Sequence, residues 1–182
     1  GNTMNDIKDV DIDREAHPER PLASGDISIS NAQNFVKVLW LMSIICLLIG
    51  AYLLHKDGNS VTELLAIYVI AVTLMLTYDH GPELKNTGLK GNISISIMVG
   101  AVILYGASSV GNTWTTLVWW TAGVVFFANL AREIIKDCQD MEADEGARQT
   151  LPMTYGLVKS RMLAYVIVMA ALVCLYVPYW KG

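Results

Sequence analysis

The residues best suited to chemistry are aspartates near the start of the chain. The stretch NDIKDVDID, residues 5–13, contains Asp6, Asp9, Asp11 and Asp13. On a helix, the spacing of Asp6, Asp9 and Asp13 places three carboxylates on one face. Carboxylate oxygens are ligands for a hard cation such as Mg²⁺. The segment therefore predicts a cation-binding column.

The same pattern returns far along the chain. When Asp6 is laid on Asp137, the later positions also match: Asp9 with Asp140, Asp13 with Asp144, Pro21 with Pro152 and Gly25 with Gly156. Like charges at this spacing repel and cost helix stability, which a merely solvated helix end need not tolerate twice. One acidic run alone is well explained as a solvated helix end. Two matched columns favour a shared Mg²⁺, which commonly also takes oxygens from a substrate phosphate.

Long apolar stretches must position these motifs. The chain has 182 residues, 53% hydrophobic and 16% charged, and a helix needs about 20 apolar residues to cross a bilayer. Five stretches approach that length: 35–54, 61–78, 93–110, 114–131 and 162–180. We expect an all-α, polytopic transmembrane helical bundle, a single domain over residues 1–182. The motif segments 1–34 and 132–161 would lie outside the membrane.

The basic residues predict the orientation of the chain. If the spans alternate in direction, the N-terminal segment and the loops 79–92 and 132–161 share one face. That face holds every Lys and Arg except Lys56 and Lys181, when Lys37 at the adjoining end of the first span is counted with it. By the positive-inside rule it is cytoplasmic. We expect an integral protein of the cell membrane with its active site facing the cytoplasm.

Other functional classes fit the sequence less well. Basic residues are scattered among carboxylates without base-stacking aromatics, so no nucleic-acid partner is expected. A transporter usually carries ionisable groups within its spans, whereas Lys37 and Glu63 lie near span ends. A phosphotransferase acting on lipid alcohols should show a D-G-x-x-A-R pattern, which this sequence lacks. A non-enzymatic cation-binding membrane protein or transporter stays a distant alternative.

The two motifs resemble those of a known family. NDIKDVDID with HPERPLASGDIS, and later REIIKDCQDMEADEGARQTLPMTYG, resemble the aspartate-rich motifs of the UbiA-type intramembrane prenyltransferases. Within that superfamily they are most similar to the archaeal digeranylgeranylglyceryl phosphate synthases. Family members have about nine transmembrane helices, so the resemblance implies that about five of nine are present. Because the chain starts at Gly1 and stops directly after a span, we interpret it as an internal fragment.

The resemblance also implies a reaction. A UbiA-type enzyme transfers a prenyl group from a prenyl diphosphate donor to a lipid or aromatic acceptor with the help of Mg²⁺. In the archaeal branch, a geranylgeranyl group moves to geranylgeranylglyceryl phosphate during ether-lipid synthesis. The alternative is an aromatic prenyltransferase of quinone or tetrapyrrole biosynthesis. Arg148, Lys159 and Arg161 are candidates for contacting an anionic acceptor, although basic residues beside a span also set topology.

The resemblance assigns roles to particular aspartates. The first family motif falls on Asn5, Asp9 and Asp13, with Asp6 completing it. The second falls on Asp140 and Asp144, with Asp137 one turn earlier. The resemblance implies that these seven residues hold two Mg²⁺ ions, with Asp9, Asp13, Asp140 and Asp144 as the catalytic set.

Basic residues near the motifs are candidates for contacting the diphosphate: Lys85, Lys90, Arg20, Arg132 and Lys136. For Arg20 and Arg132, pairing with a neighbouring carboxylate is an equally good explanation. The family often places a Tyr and a Lys as YxxxK in the loop after its fourth helix. Here Tyr78 and Lys85 are farther apart, so Tyr78, like Asn92, is only an additional candidate.

Overall fold

The computed structural model describes residues 2–79, 84–142 and 149–181, and these ranges contain helices and turns but no strand. The α-helices of the described ranges are α1 (Asn2–Lys8), α2 (Val10–Ala16), α3 (Pro21–Ser24), α4 (Ile29–Lys56), α5 (Thr62–Asp79), α6 (Leu89–Ser108), α7 (Thr116–Gln139), α8 (Leu151–Tyr155) and α9 (Leu157–Lys181). A short 3₁₀ helix, Leu84–Asn86, precedes α6. The predicted all-α fold class is confirmed.

The chain divides into two compact units, Gly1–Leu53 and Leu54–Gly182. The first unit contains the short helices α1 to α3 and most of α4. At 28 residues and a rise of 1.5 Å per residue, α4 is about 42 Å long, which exceeds the roughly 30 Å of a hydrocarbon core. Its Phe35, Leu41 and Leu48 side chains are exposed, as expected of a surface that meets lipid.

In the second unit the long helices pack in sequence, α5 on α6, α6 on α7 and α7 on α9, while α8 contacts both α7 and α9. The buried core consists of Leu130, Ala131, Ile134, Leu151 and Ala164. Three of these residues belong to the second half of α7, immediately before the second aspartate motif. The core therefore supports the part of α7 that carries the motif.

A glycine allows α6 and α7 to approach each other closely. A Cβ added to Gly100 of α6 would lie 3.3 Å from the backbone oxygen of Ala122 and 3.4 Å from the Cβ of Phe126. Inside a membrane, the hydrophobic effect does not drive helices together, so they commonly pack through small residues of this kind. The close approach brings polar side chains of α6 within hydrogen-bonding distance of α7.

Within the described ranges, four helices are long and apolar enough to cross a membrane, namely α4, α6, α7 and α9, and Thr62–Tyr78 is a shorter apolar helix. The helices extend past the apolar stretches of the sequence. The α7 helix continues to Gln139, beyond the stretch that ends at residue 131. The reason is that an apolar window stops at the first charged residues, whereas Arg, Glu and Lys are good helix formers.

Candidate functional site

The first motif forms one column of oxygen-bearing side chains. The backbone N–H of Asp9 donates to the oxygen of Asn5 at 2.9 Å, and the N–H of Asp13 donates to the oxygen of Asp9 at 2.8 Å. Helical hydrogen bonding thus continues through the junction of α1 and α2. Asn5, Asp9 and Asp13 therefore lie on one face, one turn apart.

Asp9 itself has an unusual backbone conformation for a helix. It lies between α1 and α2 with φ −94° and ψ 7°. This sparsely populated region of backbone space is where many active-site residues occur. The helical path is therefore interrupted at the central aspartate of the motif, between α1 and α2.

Asp13 is held by Arg20. The Arg20 Nη1 donates to Asp13 Oδ1 at 2.6 Å, and the Asp13 side chain is only 9% exposed. A carboxylate this buried needs a partner. The hydrogen bond to Asp13, with the charges of Asp13, Asp6 and Glu19, raises the pKa of Arg20 above its ordinary value. The sequence left two roles open for Arg20, contact with the diphosphate or pairing with a neighbouring carboxylate. In this structure Arg20 pairs with a motif carboxylate.

The second motif begins within α7. Asp137 is buried in the last turn of α7, Asp140 caps the helix, and Asp144 lies outside the described residues. Asp140 has φ −91° and ψ 6°, and its N–H donates to the oxygen of Lys136 at 2.9 Å. Asp9, its counterpart in the first motif, has nearly the same backbone angles and the same helical hydrogen bond. Asp9 and Asp140 therefore match in backbone conformation as well as in sequence position.

The match extends beyond the aspartates. Pro21 begins α3 and Pro152 lies in the first turn of α8, where a proline costs no helical hydrogen bond. Gly25 and Gly156 then end these helices with φ of 88° and 85°, a region that favours glycine. Their ψ values differ, 4° against 155°. Gly25 accordingly leads into a short loop, whereas Gly156 leads directly into α9.

The buried carboxylate of Asp137 is bound from a neighbouring helix. Asn92 Nδ2, in the first turns of α6, donates to Asp137 Oδ2 at 2.7 Å, and both residues are buried. The sequence offered Asn92 only as an additional candidate. It also gave no signal for two polar residues that belong to the same network, Ser96 and Asn129.

Basic side chains line part of an apolar groove between α7 and α9. The groove has a volume of about 580 Å³, and Arg132, Lys136 and Gln139 form part of its lining. Its apolar wall includes Val124, Ala128, Ile135, Val168 and Leu172. Arg132 Nη1 also donates to Glu133 Oε1. An apolar wall with a few convergent polar groups is typical of a small-molecule site.

The loop before α6 lies against the segment that follows the second motif. Gly88 has φ 57°, and a Cβ added there would be 2.7 Å from the backbone oxygen of Gln149. Lys90 is exposed in the first turn of α6, and Tyr78 is half-buried near the end of α5. For Lys85 only the backbone, in the short 3₁₀ helix, is described.

A complete metal site is not formed by the described residues alone. Within 2–79, 84–142 and 149–181, no three His, Cys, Asp or Glu side chains are placed to hold an ion together. Asp144 lies outside these ranges, as does Arg148. The magnesium ligands that the sequence suggested therefore stay a prediction.

Comparison with known proteins defines the class of this chain. The UbiA prenyltransferase family model matches residues 1–182, and the chain belongs to that family. With its four helices long enough to span a bilayer, it is an integral membrane protein. The predicted family is confirmed.

Particular relatives share one name. The chain is 31% identical to the digeranylgeranylglyceryl phosphate synthase of Methanoculleus marisnigri and 33% identical to that of Methanopyrus kandleri, covering 100% of this chain and 62% of each relative. A solved structure described as "Structural and mechanistic insights into the biosynthesis of Digeranylgeranylglyceryl phosphate synthase in membranes" is 31% identical, with a TM-score of 0.69. That match covers 99% of this chain and 60% of the other. The chain thus spans under two thirds of the length of these relatives.

Proposed function

We propose that the protein transfers a geranylgeranyl group from geranylgeranyl diphosphate to geranylgeranylglyceryl phosphate in archaeal ether-lipid synthesis. The observation that carries the proposal is the repeated motif. Asp9 and Asp140 occupy equivalent positions, with φ near −90° and ψ near 0° in both. Relatives of about 30% identity carry the name of this synthase, which supports the same choice of substrates.

The donor set of the two motifs suits Mg²⁺. All the proposed ligands are carboxylate or amide oxygens, which Mg²⁺ prefers over nitrogen and sulfur. The residues that would hold the metal are Asn5, Asp6, Asp9, Asp13, Asp137, Asp140 and Asp144. When bound, the metal supplies positive charge against the oxygens of the diphosphate.

Residues of the chain itself would stabilise the departing diphosphate. As the allylic C–O bond breaks, negative charge builds on the leaving group, and fixed cations lower the energy of that charge. Lys136 and Arg132 beside the α7–α9 groove are candidates for this contact, together with Lys85 and Lys90. Arg20 would act on the site mainly through Asp13, to which it is hydrogen-bonded.

The apolar groove between α7 and α9 would hold part of the prenyl chain. Ala128, Val168 and Leu172 offer apolar surface against which the chain can pack. An apolar wall also keeps water from an allylic cation, which water would otherwise capture. The acceptor phosphate requires a further cation, for which Lys159, Arg161 and Arg148 are the candidates.

Incubation with separate acceptors tests the proposal. The protein in nanodiscs would receive geranylgeranyl diphosphate with either geranylgeranylglyceryl phosphate or a phenolic acid, with Mg²⁺ or with excess EDTA. We expect a lipid product only with the glycerol phosphate acceptor and only with Mg²⁺. Prenylation of the phenolic acid instead would favour the aromatic prenyltransferases, and transfer that survives EDTA would contradict the proposed role of magnesium.

A further inference from the structure

The contact between Asn92 and Asp137 joins two helices at the second motif. These residues are only 8% and 7% exposed, and the Nδ2–Oδ2 distance is 2.7 Å. A hydrogen bond to a charged acceptor is stronger than one between neutral groups. Losing such a donor in a buried place removes a hydrogen bond that stabilises the charged carboxylate. Asn92 thus has a strong influence on where the Asp137 carboxylate lies.

Asn92 is in turn held in place by its surroundings. Ser96 Oγ donates to the backbone oxygen of Asn92 at 2.6 Å, and Asn129 Nδ2 of α7 donates to Ser96 Oγ at 3.1 Å. Ser96 is fully buried. The network crosses twice between α6 and α7, so the Asn92 amide is presented to Asp137 from a fixed backbone.

We propose that Asn92 is a positioning residue, which orients the Asp137 carboxylate for binding of the metal and diphosphate. The inference rests on the proposed function, because it takes Asp137 as part of the magnesium site. An amide can donate only through its nitrogen, so the contact turns a particular carboxylate oxygen toward α6. Partners that orient metal ligands in this way commonly contribute about tenfold to a hundredfold to metal affinity or activity.

The competing explanation is that the pair only binds two helices together. Side-chain hydrogen bonds between membrane helices do serve this purpose. In that case loss of Asn92 would lower stability without changing the response to Mg²⁺. The two explanations differ in what they predict for the metal, and that difference can be measured without an activity assay.

The experiment compares three variants with the wild type in nanodiscs. Asn92→Ala removes the donor to Asp137, and Ser96→Ala removes a neighbouring buried hydrogen bond that does not reach Asp137. The exchange variant, Asn92→Asp with Asp137→Asn, keeps an amide–carboxylate pair but moves the charge to α6. For each, the melting temperature is recorded against Mg²⁺ concentration with inorganic pyrophosphate, and the Mg²⁺ dependence of prenyl transfer is measured separately.

We expect Asn92→Ala to raise the Mg²⁺ midpoint about tenfold or more in both measurements. Ser96→Ala, which keeps the direct donor to Asp137 and removes only its support, should lower the metal-free melting temperature and raise the midpoint less than Asn92→Ala does. The exchange variant should regain the metal-free melting temperature without regaining the wild-type midpoint, which keeps the test decisive even if Asn92→Ala folds poorly.

Two results would overturn the inference. An unmoved midpoint in Asn92→Ala, or full recovery of the midpoint in the exchange variant, would make the pair a structural link only. A wild-type protein that shows no stabilisation by Mg²⁺ and pyrophosphate would instead contradict the proposed function, and the positioning role with it.

Discussion

Asp9 and Asp140 occupy equivalent places in the two aspartate motifs. Each is central to its motif, and each has φ near −90° and ψ near 0°. If both organise charge in the transition state, Asp9→Asn and Asp140→Asn should each lower turnover by about a hundredfold or more. Asn keeps the shape and removes the charge, so melting temperatures measured without metal should change little. Steady-state rates at saturating donor would check this.

Asp11 supplies the matched control for these substitutions. It lies in the same acidic segment but is exposed and pairs with Arg14 at 2.8 Å, a surface contact that contributes little. Asp11→Asn should therefore leave turnover nearly unchanged.

Combining Asp9→Asn with Asp140→Asn should lower turnover much less than the product of the two single effects, because the effects of groups that serve one unit are not additive. Near-normal rates in both Asp9→Asn and Asp140→Asn would indicate that the motifs are only solvated helix ends.

For individual residues, the sequence predicted which side chains share one face of a helix. It did not predict which side chains of different helices contact each other. Helical spacing predicted a shared face for Asp6, Asp9 and Asp13, and the family resemblance added Asn5, which helical hydrogen bonds connect to Asp9 and Asp13. Helical spacing could not pair Asn92 with Asp137, because periodicity says nothing about which face of one helix meets which face of another. The pairing of Arg20 with Asp13 was one of two open choices, since charge alone does not distinguish a carboxylate partner from a phosphate.

Among the connecting elements, the loop before α6 depends on one glycine. Gly88 combines φ 57° with a backbone oxygen 2.7 Å from the place of a Cβ. Gly88→Ala should cost more than the roughly 1–2 kcal/mol of a left-handed alanine, because its ψ of −123° lies outside the left-handed helical region and because the loop must also move away from Gln149. Thermal unfolding in detergent would show the loss, and prenyl transfer should fall as the loop shifts.

Gly58 separates backbone strain from this clash. It has φ 79° but nothing within 4 Å of an added Cβ. Gly58→Ala should therefore show only the conformational cost, with transfer activity retained. Equal destabilisation by the two alanines would mean that the Gly88–Gln149 contact contributes nothing.

The ends of the elements were harder to predict than their existence. Apolar stretches located the long helices, yet α6 begins at Leu89 and α7 ends at Gln139, outside the stretches 93–110 and 114–131. Hydropathy reports where a helix is apolar, whereas helix ends depend on caps and on charged residues that propagate helices well. The repeated Pro and Gly mark the ends of the short helices α3 and α8, which were not predicted from the sequence.

For the molecule as a whole, the distribution of Lys and Arg predicts that both motifs face the cytoplasm. In a background without the native cysteines, His17→Cys and Ala147→Cys should resist a membrane-impermeant thiol reagent in sealed right-side-out vesicles. The same positions should label once detergent opens the vesicles. Labelling of sealed vesicles from outside would show that the motifs face away from the cytoplasm and that the predicted orientation is wrong. The family and the membrane class followed from sequence because motif spacing and apolar length are both properties of the chain alone.

The polar network between α6 and α7 has a consequence for biogenesis. Of the four described helices long enough to span, α7 has the lowest mean hydropathy, and its Asn129 donates a hydrogen bond to Ser96 of α6. During translation α6 reaches the bilayer first, so α7 would enter beside a helix that already offers this partner. In a translocon reporter, we expect α7 alone to insert incompletely and to insert well when α6 precedes it. The Asn129→Leu variant of α7 should insert well without α6, because the substitution removes a polar group that is costly in lipid.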